Sequence, residues 1–500
     1  MEKKLAKFKQ TVAEIFDIYA AAMVLEWDQQ VNMPPGGAEQ RGNQIATLQG
    51  LVHSKTTSKK FGKRLEKLSK YAEELDPDSD DARLIQNVQK FYDTHAKVTP
   101  EYTAKFYKTV ALAYSAWEEA RAESDFGKFQ PYLEEIVDLR RQYAEFFAPY
   151  EHVYDPLLDV YEPDMKTAEV QAIFDQLRPQ QVKLIKAIAD RPQVDSTFLH
   201  LDYDEQKQWD FGVEIITKYG YDWKRGRQDK SAHPFTTGFS VNDVRITTRV
   251  DKNYIPTALF GTLHECGHAL YGMGTNPAFE RTPMMDGASM AVHESQSRTY
   301  ENLVGRSMPF WEHFYPRLQE LFPSQLGNVD LGTFYKGINY VEPSLIRVEA
   351  DEATYNLHIM LRLELEIALM EGSLAVKDLP AAWNSRMEEY FGLTPPNDAQ
   401  GVLQDVHWSC GYFGYFPTYA LGNLISAQLW EKLSQEMPDI DDQMRRGEFA
   451  NLTEWMRSNI HVHGKKYKPQ ELVQRVTGSK IDPAPYLRYL TTKYSEIYGL

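Results

Sequence analysis

The segment His264-Glu265-Cys266-Gly267-His268 carries two imidazoles four positions apart with a carboxylate between them, a pattern suited to binding a metal ion. On an α-helix, residues four apart lie about 40° apart around the axis, so both imidazoles can meet one ion. Glu265 falls about 100° from His264 and about 60° from His268, on a neighbouring side of the helix. From there its carboxylate can reach a water beside the metal rather than the metal itself. Two histidine ligands, an open coordination position and a carboxylate to take a proton are what zinc-dependent hydrolysis requires. Without a metal, two histidines inside an apolar helix need other polar partners, because unpaired buried imidazoles are costly.

A third ligand must come from elsewhere in the chain. The metzincin pattern would place a glycine and a histidine where this sequence has Tyr271 and Gly274, so that class is excluded. Glu294, in Ala291-Val292-His293-Glu294-Ser295, lies 26 residues beyond His268. That is enough for one helix to end, a turn at Asp286-Gly287, and a second helix to return. A glutamate joins two histidines in known catalytic zinc sets. On the residues alone, Glu280 and Asp286 remain open beside it.

The elements that must hold these groups read mostly as helix. Pro256 suits the start of the His264–His268 helix, Leu259, Phe260, Leu263, Ala269 and Leu270 its burial, and Gly272 and Gly274 its end. Residues 3–25 carry Leu5, Phe8, Val12, Ile15, Tyr19 and Ala22 at helical spacing. Residues 349–371 are rich in helix formers, with no glycine or proline. Residues 423–433 and 469–476 also read as helix. The lysine-rich and then acidic stretch 55–91 reads as a solvated helical face and loop. The best strand signal is 234–250, where Asn242-Asp243 can turn a hairpin. The expected fold class is mainly α, with a small sheet near the metal. Residues 1–500 are expected to form one catalytic domain, with two lobes around a cleft.

Composition limits the partners. The 500 residues carry 55 basic and 71 acidic side chains, a net charge of −16, which disfavours nucleic acid and anionic membrane surfaces. Only Cys266 and Cys410 are present, which favours a reducing cytoplasm over secretion. The N-terminal lysines are not followed by a continuous apolar stretch, and nothing approaches the roughly 20 apolar residues of a membrane span.

Several further blocks carry a resemblance. They are Trp27-Asp28, Met33-Pro34 and Gly36-Gly37; His233-Pro234-Phe235; Asp243-Val244-Arg245-Ile246-Thr247; His293-Glu294-Ser295-Gln296; Ile346 to Asp351; and Gly401 to Trp408. With the H-E-x-x-H motif, the chain resembles the carboxypeptidase Taq family of metal-dependent carboxypeptidases nearly end to end. The resemblance implies Glu294 as third ligand, a helical saddle-shaped fold with a deep groove, and a homodimer. It also implies release of single residues from peptide C-termini with broad preference and poor action on C-terminal proline.

Exopeptidase action needs a group for the terminal carboxylate, and an arginine fork matches two oxygens. Arg347 is the first candidate and Arg245 the second; each also has an acid nearby with which it can simply pair. His407, Tyr415 and Tyr419 are candidate hydrogen-bond donors to the reacting carbonyl or the substrate, the tyrosines from an aromatic stretch, 410–419, expected to be a loop. His233 can contact the substrate backbone or cap a strand. His461 and His463 read as surface loop histidines. The expected reaction uses one divalent ion, zinc first and cobalt or manganese as alternatives, with Glu265 as general base. A related endo-oligopeptidase and a non-catalytic peptide binder stay open; an intact Glu265 speaks against the second.

Overall fold

The computed structural model describes residues 1–500. Its first element, the helix Glu2–Val31, buries Leu5, Phe8, Val12, Ile15 and Ala22, the apolar stripe that a period of 3.6 requires. Tyr19 departs from that expectation and is exposed. The charged segment after it forms two amphipathic helices, Lys59–Ala72 and Asp80–Lys97. Ser58 caps the first by accepting from the Phe61 backbone N–H. These helices are more than a solvated face: Phe61, Leu65, Leu68, Ile85 and Val88 join the N-terminal stripe in one core cluster.

In all there are 21 α-helices and one three-stranded sheet, so the fold is mainly α. No helix is long and apolar enough to cross a membrane. The chain divides into two compact units. One comprises residues 1–96, 195–338 and 429–478; the other comprises 97–194, 339–428 and 479–500.

The sheet belongs to the first unit. Strands β2 (Thr236–Ser240) and β3 (Asp243–Thr248) form the antiparallel hairpin expected from the sequence, turning at Val241-Asn242. A third strand, β1 (Gly226–Lys230), runs parallel to β3 and was not anticipated. Its sequence Gly-Arg-Gln-Asp-Lys has no apolar alternation, because it adds a charged edge rather than a core layer. Val244 and Ile246 of β3 are buried in the cluster that also takes Leu259, Leu263, Ala269 and Leu270 of the helix Ile255–Gly274. Pro256 stands in the first turn of that helix, where its missing N–H costs nothing.

In the second unit, the helix expected from residue 349 starts only at Tyr355, after a short 3₁₀ turn at Arg347–Glu349. The Asp351 carboxylate accepts from the backbone N–H groups of Ala353 and Thr354 at 2.8 and 3.0 Å. That local turn competes with helical continuation. The aromatic stretch is a loop only as far as Phe416; Pro417 opens the helix Pro417–Glu436, so Tyr419 stands in a first turn. Gly414 in this loop has φ +89°, and a Cβ there would lie 2.4 Å from the Leu157 carbonyl oxygen. Its N–H donates to buried Glu366, which also accepts from Tyr154 and from the Trp408 indole, so the loop is tied to a carboxylate that is itself held by two other donors.

Candidate metal centre

Two helices of the first unit build the metal centre. His264 and His268 lie one turn apart on Ile255–Gly274, with ring centroids separated by 4.9 Å. Glu294 lies on Met290–Arg298, whose first turn is capped by Ser289 accepting from the Val292 N–H at 3.1 Å. Gly267 lets these helices close. A Cβ at that position would stand 2.6 Å from both the Gln296 carbonyl oxygen and the Ser297 Cα.

Glu294 Oε2 is 3.5 Å from Nε2 of His264 and 3.5 Å from Nε2 of His268. All three donor atoms fall within 4.8 Å of one another. Donors at about 2.0–2.1 Å from a tetrahedral ion stand roughly 3.3–3.4 Å apart, so this donor set fits one small divalent cation. Nitrogen and carboxylate donors in these numbers also suit its chemistry.

Further groups hold each ligand. The Glu301 carboxylate takes His264 Nδ1 at 2.8 Å, which leaves Nε2 for the metal. His268 Nδ1 is 3.2 Å from Nδ1 of His293, so one ring donates and the other accepts. Arg298 binds Glu294 Oε1 at 2.7 Å through Nε and Glu301 at 3.1 Å through Nη1. Ser297 Oγ lies 3.0 Å from Glu294 Oε2. Burial works against a charge on His264, but Glu294, Glu301 and Glu265 together push its pKa up to about 9. Burial likewise opposes the Glu294 carboxylate, yet Arg298 and the two histidines hold it well below the usual range. Glu301 is held down to about 2, burial being outweighed by Arg298 and His264. The centre is therefore anionic at its ligand carboxylate, as a cation site should be.

Glu265 is 6% exposed. Its Oε2 accepts from Thr236 Oγ1 at 2.6 Å. Elsewhere in this unit, Arg245 places Nε and Nη2 on Asp243, each at 2.8 Å, with its guanidinium 4.2 Å from the Trp27 ring centroid. His233 is exposed, and its Nδ1 lies 3.0 Å from the Pro234 carbonyl oxygen.

The second unit gathers four other candidates. Arg347 is buried, with Nε and Nη2 on Asp405 Oδ1 at 3.0 and 2.8 Å and Nη1 on the Tyr355 hydroxyl at 2.9 Å. The same Asp405 accepts Nε of buried Arg362 at 2.7 Å. Burial opposes its charge, but these two arginines hold the Asp405 carboxyl far below the ordinary range. The Arg347 guanidinium lies 5.3 Å from the Tyr419 ring centroid. Nε2 of His407 is 3.5 Å from the Tyr419 hydroxyl, and its ring packs on Tyr415 at 5.5 Å.

Comparison with known proteins places the chain. The carboxypeptidase Taq (M32) metallopeptidase profile matches residues 7–494. The chain belongs to this family. It is 42% identical over 507 residues to thermostable carboxypeptidase 1 of Thermus thermophilus, covering 99% of each chain. It is 38% identical to carboxypeptidase 1 of Bacillus subtilis, covering 97% of this chain and 98% of that one. The crystal structure of the M32 carboxypeptidase from Deinococcus radiodurans R1 superposes with a TM-score of 0.97 at 39% identity, over 100% of both chains. This M32 protein is a metal-dependent carboxypeptidase, and its family implies a divalent metal.

Among the acids open as third ligand, the oxygen beside the two histidines is that of Glu294. Glu280 instead caps the hairpin turn, accepting from Ser240 Oγ and the Val241 N–H. Asp286 accepts from the Gly287 N–H at 2.8 Å. His461 is not a surface residue as expected: it is fully buried, with Nε2 2.9 Å from Gln296 Oε1. Thr236, His293, Arg298 and Glu301 were not singled out from the sequence. The offsets of Arg298 and Glu301 from Glu294, four and seven, were a helical signal that could have found two of them.

Cys266 is fully buried within the motif, and burial pushes its thiol pKa far up, so it stays protonated and does not compete for metal. Replacing Glu301 with glutamine should weaken metal binding by about 10–100-fold, because the carboxylate that fixes the His264 ring is lost. Chelator competition measures this; unchanged affinity would show that the His264–Glu301 bond does not support the site.

Proposed function

We propose that this chain is a zinc-type carboxypeptidase that removes single residues from peptide C-termini, with broad side-chain preference and poor action on C-terminal proline. The observation that carries the reading is the shared position of His264, His268 and Glu294 donor atoms, with Glu265 next to one of them on the same helix. A divalent ion held by these three residues supplies Lewis acidity toward the scissile carbonyl and makes an attacking water easier to deprotonate. Glu265 takes the proton of that water and passes it to the leaving amine. Cobalt or manganese can use the same donors, and elemental analysis distinguishes them from zinc.

Arg347 is our choice for the terminal carboxylate, with Arg245 second. The guanidiniums of Arg347 and Arg362 share the single carboxylate of Asp405, so that cluster carries positive charge beyond its own pairing. Arg245 and Asp243 form a one-to-one pair and carry no such excess. His407 and Tyr419 are assigned as donors to the oxyanion, and Tyr415 and His233 as substrate contacts. A clamp for the carboxylate reads a group that every C-terminus carries, which supports broad preference. A terminal proline offers a tertiary amide without an N–H and a locked φ, which supports its poor cleavage.

A timed mass-spectrometric digest tests the reading. Free-acid peptides should shorten one residue at a time, stop before a terminal proline, and be cut far faster than their C-terminal amides. Arg347→Ala should narrow the gap between acid and amide by at least about tenfold, chiefly by weakening the acid. Closure of the gap by Arg245→Ala instead would move the clamp to the hairpin. Internal cleavage of amides as fast as trimming of acids would replace this reading with an endo-oligopeptidase.

The remaining assignments rest on the family resemblance and on composition. We propose a cytoplasmic homodimer acting on peptides, without nucleic-acid or membrane partners. The free thiols of Cys266 and Cys410 suit a reducing compartment, and the net charge of −16 repels polyanions. Sedimentation velocity should give twice the chain mass; a single-chain mass at micromolar concentration would refute the dimer.

A further inference from the structure

The Thr236 hydroxyl lies 2.6 Å from Glu265 Oε2 and 2.9 Å from the Glu265 carbonyl oxygen. It has one hydrogen and two acceptors on the same residue, one in the side chain and one in the main chain. Its position is set by the sheet rather than by its own rotamer alone. Thr236 pairs with Ile246 across β2 and β3. The preceding residue, Phe235, is fixed on both sides: its N–H donates to Thr247 Oγ1 at 2.9 Å, and its carbonyl accepts from the Thr247 N–H at 2.9 Å. Thr247 Oγ1 in turn accepts from Ser231 Oγ at 2.7 Å. The hydroxyl is thus held on a strand against the helix that carries Glu265.

A free glutamate side chain samples many rotamers and loses that freedom when it is fixed, so an unaided base would spend much of its time misdirected. Its two oxygens are also equivalent until something distinguishes them. Thr236 does both jobs: it fixes the side chain and occupies Oε2, leaving Oε1 for the water. The hydroxyl donates to Oε2 throughout, so the water's proton is taken up at the other oxygen, Oε1.

We propose that Thr236 is a positioning residue for the reaction, holding Glu265 by Oε2 so that Oε1 is free to take the proton of the water. The proposal rests on Glu265 being the general base, and the test separates the two. Thr236→Val, Thr236→Ser, Glu265→Gln and the Thr236→Val/Glu265→Gln double variant are compared for kcat, KM, metal content and melting temperature. Thr236→Val should lower kcat by about 10–100-fold, with KM changed by less than about threefold and metal retained. Thr236→Ser should recover kcat to within about threefold of the parent. The double variant should be no slower than Glu265→Gln alone, because Thr236 acts only through that carboxylate. Should Thr236→Val fail to fold, Thr236→Ala takes its place in every comparison. An unchanged kcat in the valine variant overturns the proposal. So does a loss that serine does not recover, that follows loss of metal, or that adds fully to the Glu265→Gln loss. An active Glu265→Gln enzyme would instead remove the base assignment, and the Thr236 proposal with it.

Discussion

Glu265→Gln should keep its fold and its metal and lose roughly 10²–10⁴-fold in kcat, equivalent to about 3–5 kcal/mol of transition-state stabilisation. Glutamine matches glutamate in shape, and its amide oxygen can still accept from Thr236, so the 6% exposed side chain remains satisfied in place. What it lacks is basicity: the amide cannot take a proton from water and deliver it to the leaving amine. None of the three metal donors is altered, so metal content by elemental analysis should match the parent. Turnover near that of the parent would show that another group activates the water.

Glu294→Gln should have the opposite signature: the metal goes first, and activity follows. The substitution removes the one anionic donor from between two imidazoles and leaves a neutral amide oxygen, a much weaker ligand for a divalent cation. Parent protein dialysed against buffer should retain about one equivalent per chain, and the variant less than about a tenth. The fold should survive, because Arg298 keeps its second carboxylate partner, Glu301, at 3.1 Å. Full occupancy in the variant would mean that another acid completes the site and would overturn the assignment of Glu294.

The parts of this centre that could be read from sequence are those encoded within one helical turn or one hairpin. The spacing of His264 and His268 and the proline before them are local signals, and the structure has that helix where they put it; the hairpin is also present, but it turns one residue before Asn242-Asp243, at Val241-Asn242. Glu294 was one of three acids until the family motifs favoured it. Arg298 and Glu301, four and seven residues beyond Glu294, lay within reach of helical spacing, but the other supporting contacts were not legible, because they join residues far apart in the chain. Thr236 meets Glu265 across 29 positions, His268 meets His293 across 25, and Arg347 meets Asp405 across 58. A lone threonine or aspartate carries no periodic signal of such a partner. His461 is the sharpest case: beside Val462, His463 and two lysines it reads as a surface loop, yet it is buried on Gln296, 165 positions away. The late start of the Tyr355–Glu371 helix has the same cause at shorter range, since composition does not reveal that Asp351 will spend its oxygens on the next turn.

The close approach at Gly267 changes what the motif itself means in this chain. Written as H-E-x-x-H, it presents its third and fourth positions as wildcards. Here the third is Cys266, fully enclosed in the core cluster, and the fourth is Gly267, against which the neighbouring backbone leaves no room for a methyl group. For anyone redesigning this centre, the two unlettered positions are therefore poor places to introduce variety. Cys266 is fixed by the core around it, and Gly267 sets how nearly the two ligand-bearing helices can approach, and so how wide the grip on the ion will be. The residues that do no chemistry in the motif determine the dimensions within which the others can do theirs.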